Sequence, residues 1–107
     1  MKSFGKYIRD LRKEKGLNQT QLAAKLDLDM SAISKIENDK IKFKESLLIQ
    51  LSEIFELDYN VVKEKFYSDK FANEVYLNKV PETVFKVAEE KLQYFKATNV
   101  KQIDLKF

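Results

Sequence analysis

A chain of 107 residues with 44% apolar and 35% charged residues can build one small globular core and is too apolar for a disordered segment. It holds no cysteine and no histidine, which removes disulfides, thiol chemistry and the usual residues of metal sites and acid–base relays, and argues against an enzyme. The net charge of +3 is unevenly spread: residues 1–44 hold eleven Lys or Arg against six Asp or Glu, and residues 45–107 nine against eleven, so the first half is expected to meet a polyanion.

No apolar run approaches the roughly 18 residues that span a bilayer. The opening "MKSFGKYIRDLRKEKG" lacks a signal-peptide core and is already amphipathic, so a cytoplasmic location is expected. With only two Gly and one Pro, the pattern is helical nearly throughout. A first helix is predicted from about Ser3 to Lys15, with Phe4, Tyr7, Ile8 and Leu11 on one face. Ser3 would cap it, and Gly16 would stop it in the left-handed region. Asn18 would cap a second helix, Gln19 to about Leu26, and a third spans about Ser31 to Asn38.

"DKIKFK", residues 39–44, reads as a basic loop. A fourth helix, about Glu45 to Phe55, would bury Leu47, Leu48, Leu51, Ile54 and Phe55. With Asp58 or Asn60 as its cap, an aromatic fifth helix carries Val61, Val62, Phe66, Tyr67, Phe71, Val75 and Tyr76, and a break is expected near "YSDK". Pro81 fits the first turn of a last helix, about Pro81 to Ala97. The tail "NVKQIDLKF" fits a strand through Ile103, Leu105 and Phe107, or a helix through Val100, Ile103 and Phe107.

The stretch "QTQLAAKLDLDMSAISKIEN" carries two short apolar stripes, Leu22–Ala23–Leu26 and Ile33–Ile36, parted by "DLD". Aspartates favour turns and caps over helix interiors, so two helices meet here at a tight corner pinned by Leu28. With Ile33 and Ile36 inward, the third helix exposes Met30, Ser31, Ala32, Ser34 and Lys35, a face of mostly small polar residues. Short helical corners also occur in proteins that never touch DNA.

The corner resembles the helix-turn-helix of the lambda-repressor and Cro-like family, also called the xenobiotic-response-element regulators. "GLNQTQLA" and "ISKIEN" are typical phrases of that family, and Leu22, Ala23, Leu26, Leu28, Ile33 and Ile36 meet its pattern. Asp27 departs from it, since that turn position is usually Gly, although Asp tolerates the left-handed conformation better than most residues. The likeness covers residues 3 to about 58. It implies an all-α protein: a five-helix DNA-binding domain, residues 1–58, followed by a helical extension, residues 59–107, that makes the dimer.

By the same resemblance the third helix lies in the major groove of double-stranded DNA, with Met30, Ser31 and Lys35 at the main base-reading positions. Lys35 suits guanine O6 and N7, Ser31 suits donor or acceptor edges, and the Ala32 methyl or the Met30 thioether suits a thymine methyl. Gln19 is implied at a phosphate, at the start of the second helix. Asn38, Lys40, Lys42 and Lys44 would run along the backbone, unless the lysines form only a solvated turn. Arg12 and Glu37 match a pair that ties the first helix to the third and is structural.

A single recognition helix reads few base pairs, so a homodimer on a pseudo-palindromic operator is implied. In the last helix Phe85, Ala88, Leu92 and Phe95 keep a 3-4-3 spacing. That stripe would pair with its two-fold mate or pack within the chain. The leading expectation is a transcriptional repressor, acting also on its own promoter, with a controller of restriction–modification genes as one form. The alternative is an antitoxin whose apolar tail "IDLKF" holds a toxin. No metal and no cofactor is expected.

Overall fold

Ser3 begins the first helix as its residue type predicts, its hydroxyl accepting the Lys6 N–H at 3.2 Å. The computed structural model describes residues 1–98 and contains six α-helices among them, with no strand. These are α1 (Phe4–Glu14), α2 (Gln19–Leu26), α3 (Met30–Glu37), α4 (Leu48–Ile54), α5 (Tyr59–Leu77) and α6 (Val84–Thr98), with a 3-10 turn at Glu45–Leu47. None is long and apolar enough to cross a membrane. The tail from residue 99, including Ile103, Leu105 and Phe107, lies outside the described residues.

The first three helices follow local chemistry. Gly16 closes α1 at φ +75. Asn18 and Gln21 form a reciprocal capping box at the start of α2. Asp27 ends α2 in the left-handed region, φ 56 and ψ 43, so the corner is made without the usual glycine. Asp29 caps α3, which begins at Met30, one residue before the expected Ser31.

Further along the chain, tertiary partners correct the local reading. α5 runs unbroken through residues 67–70, where a break was expected. Its Asp69 carboxylate accepts the Phe4 N–H at 3.1 Å, and Lys70 Nζ donates to Glu45 at 2.7 Å. The first engages an aspartate that would otherwise favour a turn, and the second anchors the same stretch of helix. Of its two candidate caps, Asp58 serves, accepting the Asn60 N–H at 2.8 Å. The expected helix from Glu45 to Phe55 starts instead as the 3-10 turn before α4. Pro81 stands in the turn before α6, its carbonyl accepting the Val84 N–H at 2.9 Å.

The chain divides into two compact units, Met1–Phe71 and Ala72–Phe107. In the first, Ile8, Leu22, Leu26, Ile33, Leu48, Leu51 and Val62 are essentially inaccessible, and Phe4, Phe43 and Phe66 complete the core. Phe4 and Phe66 meet edge to face at 5.2 Å between centroids, with Phe43 at 5.7 Å from Phe4. Thus α5 supplies Val62 and Phe66 to this core, whereas Val61 and Phe71 are exposed. In the second unit no residue of α6 is buried.

Gly5 marks the closest approach of α1 to the end of α3. A Cβ placed there would overlap the Ile36 carbonyl oxygen, a backbone atom that cannot rotate away. Gly5→Ala should therefore destabilise the fold by about 1–3 kcal/mol despite the better helix propensity of alanine. Urea unfolding of the two proteins checks this, and an equal or more stable variant would show that the helices do not approach so closely.

Candidate nucleic-acid interface

The corner is organised around one buried carboxylate. Glu37, 2% exposed, lies in the last turn of α3. Arg12 on α1 reaches it with two bonds, Nε to Oε2 at 2.7 Å and Nη2 to Oε1 at 3.0 Å. The third Arg12 donor, Nη1, meets the Leu17 carbonyl at 2.9 Å. Hydrogen bonding to the Glu37 carboxylate raises the pKa of the Arg12 guanidinium further, against the opposing effect of burial. Gln19 at the head of α2 adds a hydrogen bond, its Nε2 donating to Glu37 Oε1 at 3.2 Å. Lys6 Nζ donates to the Glu37 backbone carbonyl at 3.2 Å. Three helices thus converge on a single residue.

With α3 clamped at this end and Ile33 and Ile36 in the core, its opposite face is set. Met30 is 52% exposed, Ser31 and Lys35 are exposed, and Ala32 and Ser34 are half-buried. The five expected base-reading residues therefore share the outer side of one helix. Asn38 ends that helix, its side-chain amide donating to the Ser34 carbonyl at 2.9 Å. The chain then folds back, with the Lys40 N–H on the Lys35 carbonyl at 2.8 Å.

Lys40, Lys42 and Lys44 are all exposed, while Phe43 between them is 5% exposed and packs on Phe4. One aromatic anchor thereby holds three cations at the surface beside α3. The Gln19 side chain turns inward to Glu37, while its place at the opening of α2 keeps the backbone amides on which the phosphate expectation rests. What it offers an anion is its backbone. The capping box occupies the N–H groups of Asn18 and Gln21, leaving those of Gln19 and Thr20 for an outside acceptor. The expected dimer stripe lies wholly on α6, with Phe85 and Leu92 each 48% exposed, Ala88 exposed and Phe95 half-buried.

One participant escaped the sequence reading, and another was read only as a turn or cap residue. Lys6 was one more lysine of a basic helix, and its bond to Glu37 joins residues far apart in the chain. Asp29 was legible in principle as an aspartate three residues before a helical N–H, and its Oδ1 accepts the Ala32 N–H at 2.7 Å.

The arrangement is that of known regulators. The helix-turn-helix family model matches residues 8–61. The ImmF control region 10 kDa protein of Bacillus phage phi105 is 37% identical over 62 residues, 58% of this chain and 69% of that protein. The HTH-type transcriptional regulator PrpR of Mycobacterium tuberculosis is 42% identical over 53 residues, half of this chain but only 11% of PrpR. Among solved structures, the restriction-modification controller protein C.AhdI from Aeromonas hydrophila superposes with a TM-score of 0.50 at 27% identity, over 55% of this chain and 86% of that one.

Because Glu37 is buried, Arg12→Met should cost about 3–5 kcal/mol by leaving its carboxylate unpaired. Adding Glu37→Leu should recover much of that loss, since an apolar pair strands no charge. Thermal denaturation of the single and double variants reads the difference. A double variant no better than the single would mean that the pair contributes directly to stability.

Proposed function

The chain belongs to the helix-turn-helix family of Cro/C1 type and is a DNA-binding transcriptional regulator; we propose that it is a dimeric repressor of a pseudo-palindromic operator, including that of its own gene. The observation that carries this reading is the outer face of α3, clamped through the buried Arg12–Glu37 pair and flanked by three exposed lysines. In the proposed complex, Met30, Ser31, Ala32, Ser34 and Lys35 face base edges. The Gln19 amide, Asn38, Lys40, Lys42 and Lys44 hold phosphates. Its work is binding, with no catalytic step, metal or cofactor. The likeness to C.AhdI supports a controller of restriction–modification genes as its setting.

The proposed functional division is a binding domain, residues 1–58, with a dimerisation extension, residues 59–107, although the compact units part later, between Phe71 and Ala72. Dimerisation is supported by the apolar side chains that α6 leaves in water, among them Phe85, Val87, Leu92 and Tyr94. Two-fold pairing would place the recognition helices about 34–36 Å apart, one turn of DNA. An antitoxin would use the same surface and the tail "IDLKF" for a toxin, but that tail lies outside the described residues, and no observation favours this reading.

Lys35→Ala should lower discrimination between the operator and random duplex by about 1–3 kcal/mol, whereas Lys42→Ala should weaken both about equally. Wild-type affinity should fall about 10³–10⁵-fold between 50 and 200 mM salt if a dimer makes six to ten phosphate contacts. Titrations at both salts measure these quantities, and a flat salt response would defeat the electrostatic reading.

Leu92→Glu should convert a dimer into a monomer while leaving the melting of the first unit unchanged, because Leu92 is exposed and belongs to the second. Sedimentation at micromolar concentration decides. A wild-type monomer, or a variant that still dimerises, would move the interface elsewhere.

A further inference from the structure

Charge is divided along α3. Asp27 and Asp29, both exposed, stand at its N-terminal end, while Lys35, Lys40, Lys42 and Lys44 gather at its C-terminal end. A helix arranged only to grip phosphate would leave its N-terminal amides bare, since the helix dipole favours an anion there. Here the protein's own carboxylate takes one of those amides and sets its negative charge beside the others. Asp29 Oδ1 accepts the Ala32 N–H at 2.7 Å, with the Asp29 backbone extended at φ −89 and ψ 164. The cap uses one oxygen. The second, Oδ2, has no partner among the described residues, and the cap restrains the side chain from swinging away.

We propose that Asp29 is a specificity-determining residue that selects cytosine at one position of each half-site, Oδ2 accepting a hydrogen bond from the cytosine N4 amino group. The proposal rests on the reading of α3 as the groove-bound helix. Exclusion matters as much as attraction. Phosphates repel a carboxylate, and a base edge strips it of water, so it is tolerated only where the edge offers a donor. Guanine presents two acceptors there, O6 and N7, and thymine presents O4. Adenine offers N6 but sets the N7 acceptor beside it. Cytosine offers N4 at the outer end of its pair, with the guanine O6 acceptor on one side only, whereas adenine N6 lies between N7 and the thymine O4. Met30, 52% exposed next to Asp29, brings no N–H or O–H side-chain donor to compete for Oδ2.

The test uses the full chain as wild type, Asp29→Asn and Asp29→Ser, each selecting duplexes from a random pool. Both replacements are good N-caps without charge, and thermal melting verifies that each folds. The wild type should enrich cytosine at one position per half-site, and changing that C·G pair should weaken binding about 5- to 150-fold. In both variants the penalty should shrink towards unity, with Asn shifting the preference towards adenine, its bidentate partner. An unchanged cytosine preference in the folded variants, or a wild-type site with no cytosine position, overturns the assignment. A wild type that enriches no duplex would instead overturn the DNA-reading function itself, and the proposal with it.

Discussion

The orientation of the outer face of α3 depends on the burial of the Glu37 carboxylate. A charge 2% exposed is costly unless both oxygens are satisfied, and here a guanidinium fork from α1 and an amide from α2 satisfy them. The pair need not add net stability, since apolar residues of similar volume would fill the same space. It contributes direction. A guanidinium meets a carboxylate bidentately in few geometries, so the bonds set the rotation of α3 about its own axis. Rotation decides which side chains leave the core, and an α-helix turns about 100° with each residue.

A second constraint fixes the path away from α3. Gly5 admits the Ile36 carbonyl against α1, Ser3 Oγ donates to Asp39 at 2.9 Å, and Phe43 re-enters the core on Phe4. Between these anchors Lys40 and Lys42 have nowhere to go but outward. Asp39 takes the bend at φ 59, a conformation that costs most side chains energy and that Asp tolerates by local hydrogen bonding. α5 reinforces the same region through Asp69 on the first turn of α1 and Lys70 on Glu45. A loop so tied has a fixed backbone path and keeps its charges on one side of the protein.

What could be read from the sequence was whatever local chemistry decides. Ser3, Gly16 and Asn18 mark helix ends through bonds to residues only a few positions away, and α1 and α2 lie where these residues put them. The left-handed turn at Asp27 was likewise legible, as was the pairing of Arg12 with Glu37 through the likeness to a family. Periodicity could list the apolar residues of α5 but not choose among them. Only the packing shows that Val62 and Phe66 are buried while Val61 and Phe71 are not. The continuity of α5 through Ser68 and Asp69 was hidden for the same reason, because its supporting partners Phe4 and Glu45 are distant in the chain. The inward turn of Gln19 depends on Glu37, whose position follows from the assembled fold.

The two units spend their apolar residues differently, and the contrast bears on how binding is organised. Through Phe66 the first unit has used its large side chains in a core that closes on itself, with Met30 and Ile41 among the exceptions near α3. In the second, α6 fully buries no residue and keeps Phe85, Val87, Leu92 and Tyr94 exposed. A helix with no buried face gains little from the tertiary packing that normally stabilises helices in water. Its stability is then tied to whatever covers that surface. If a second copy covers it, folding of α6 and dimerisation become one equilibrium, and occupancy of a two-fold operator responds to protein concentration more steeply than a monomer's could. For the dimeric repressor proposed above, such dependence would supply a threshold set by its own concentration.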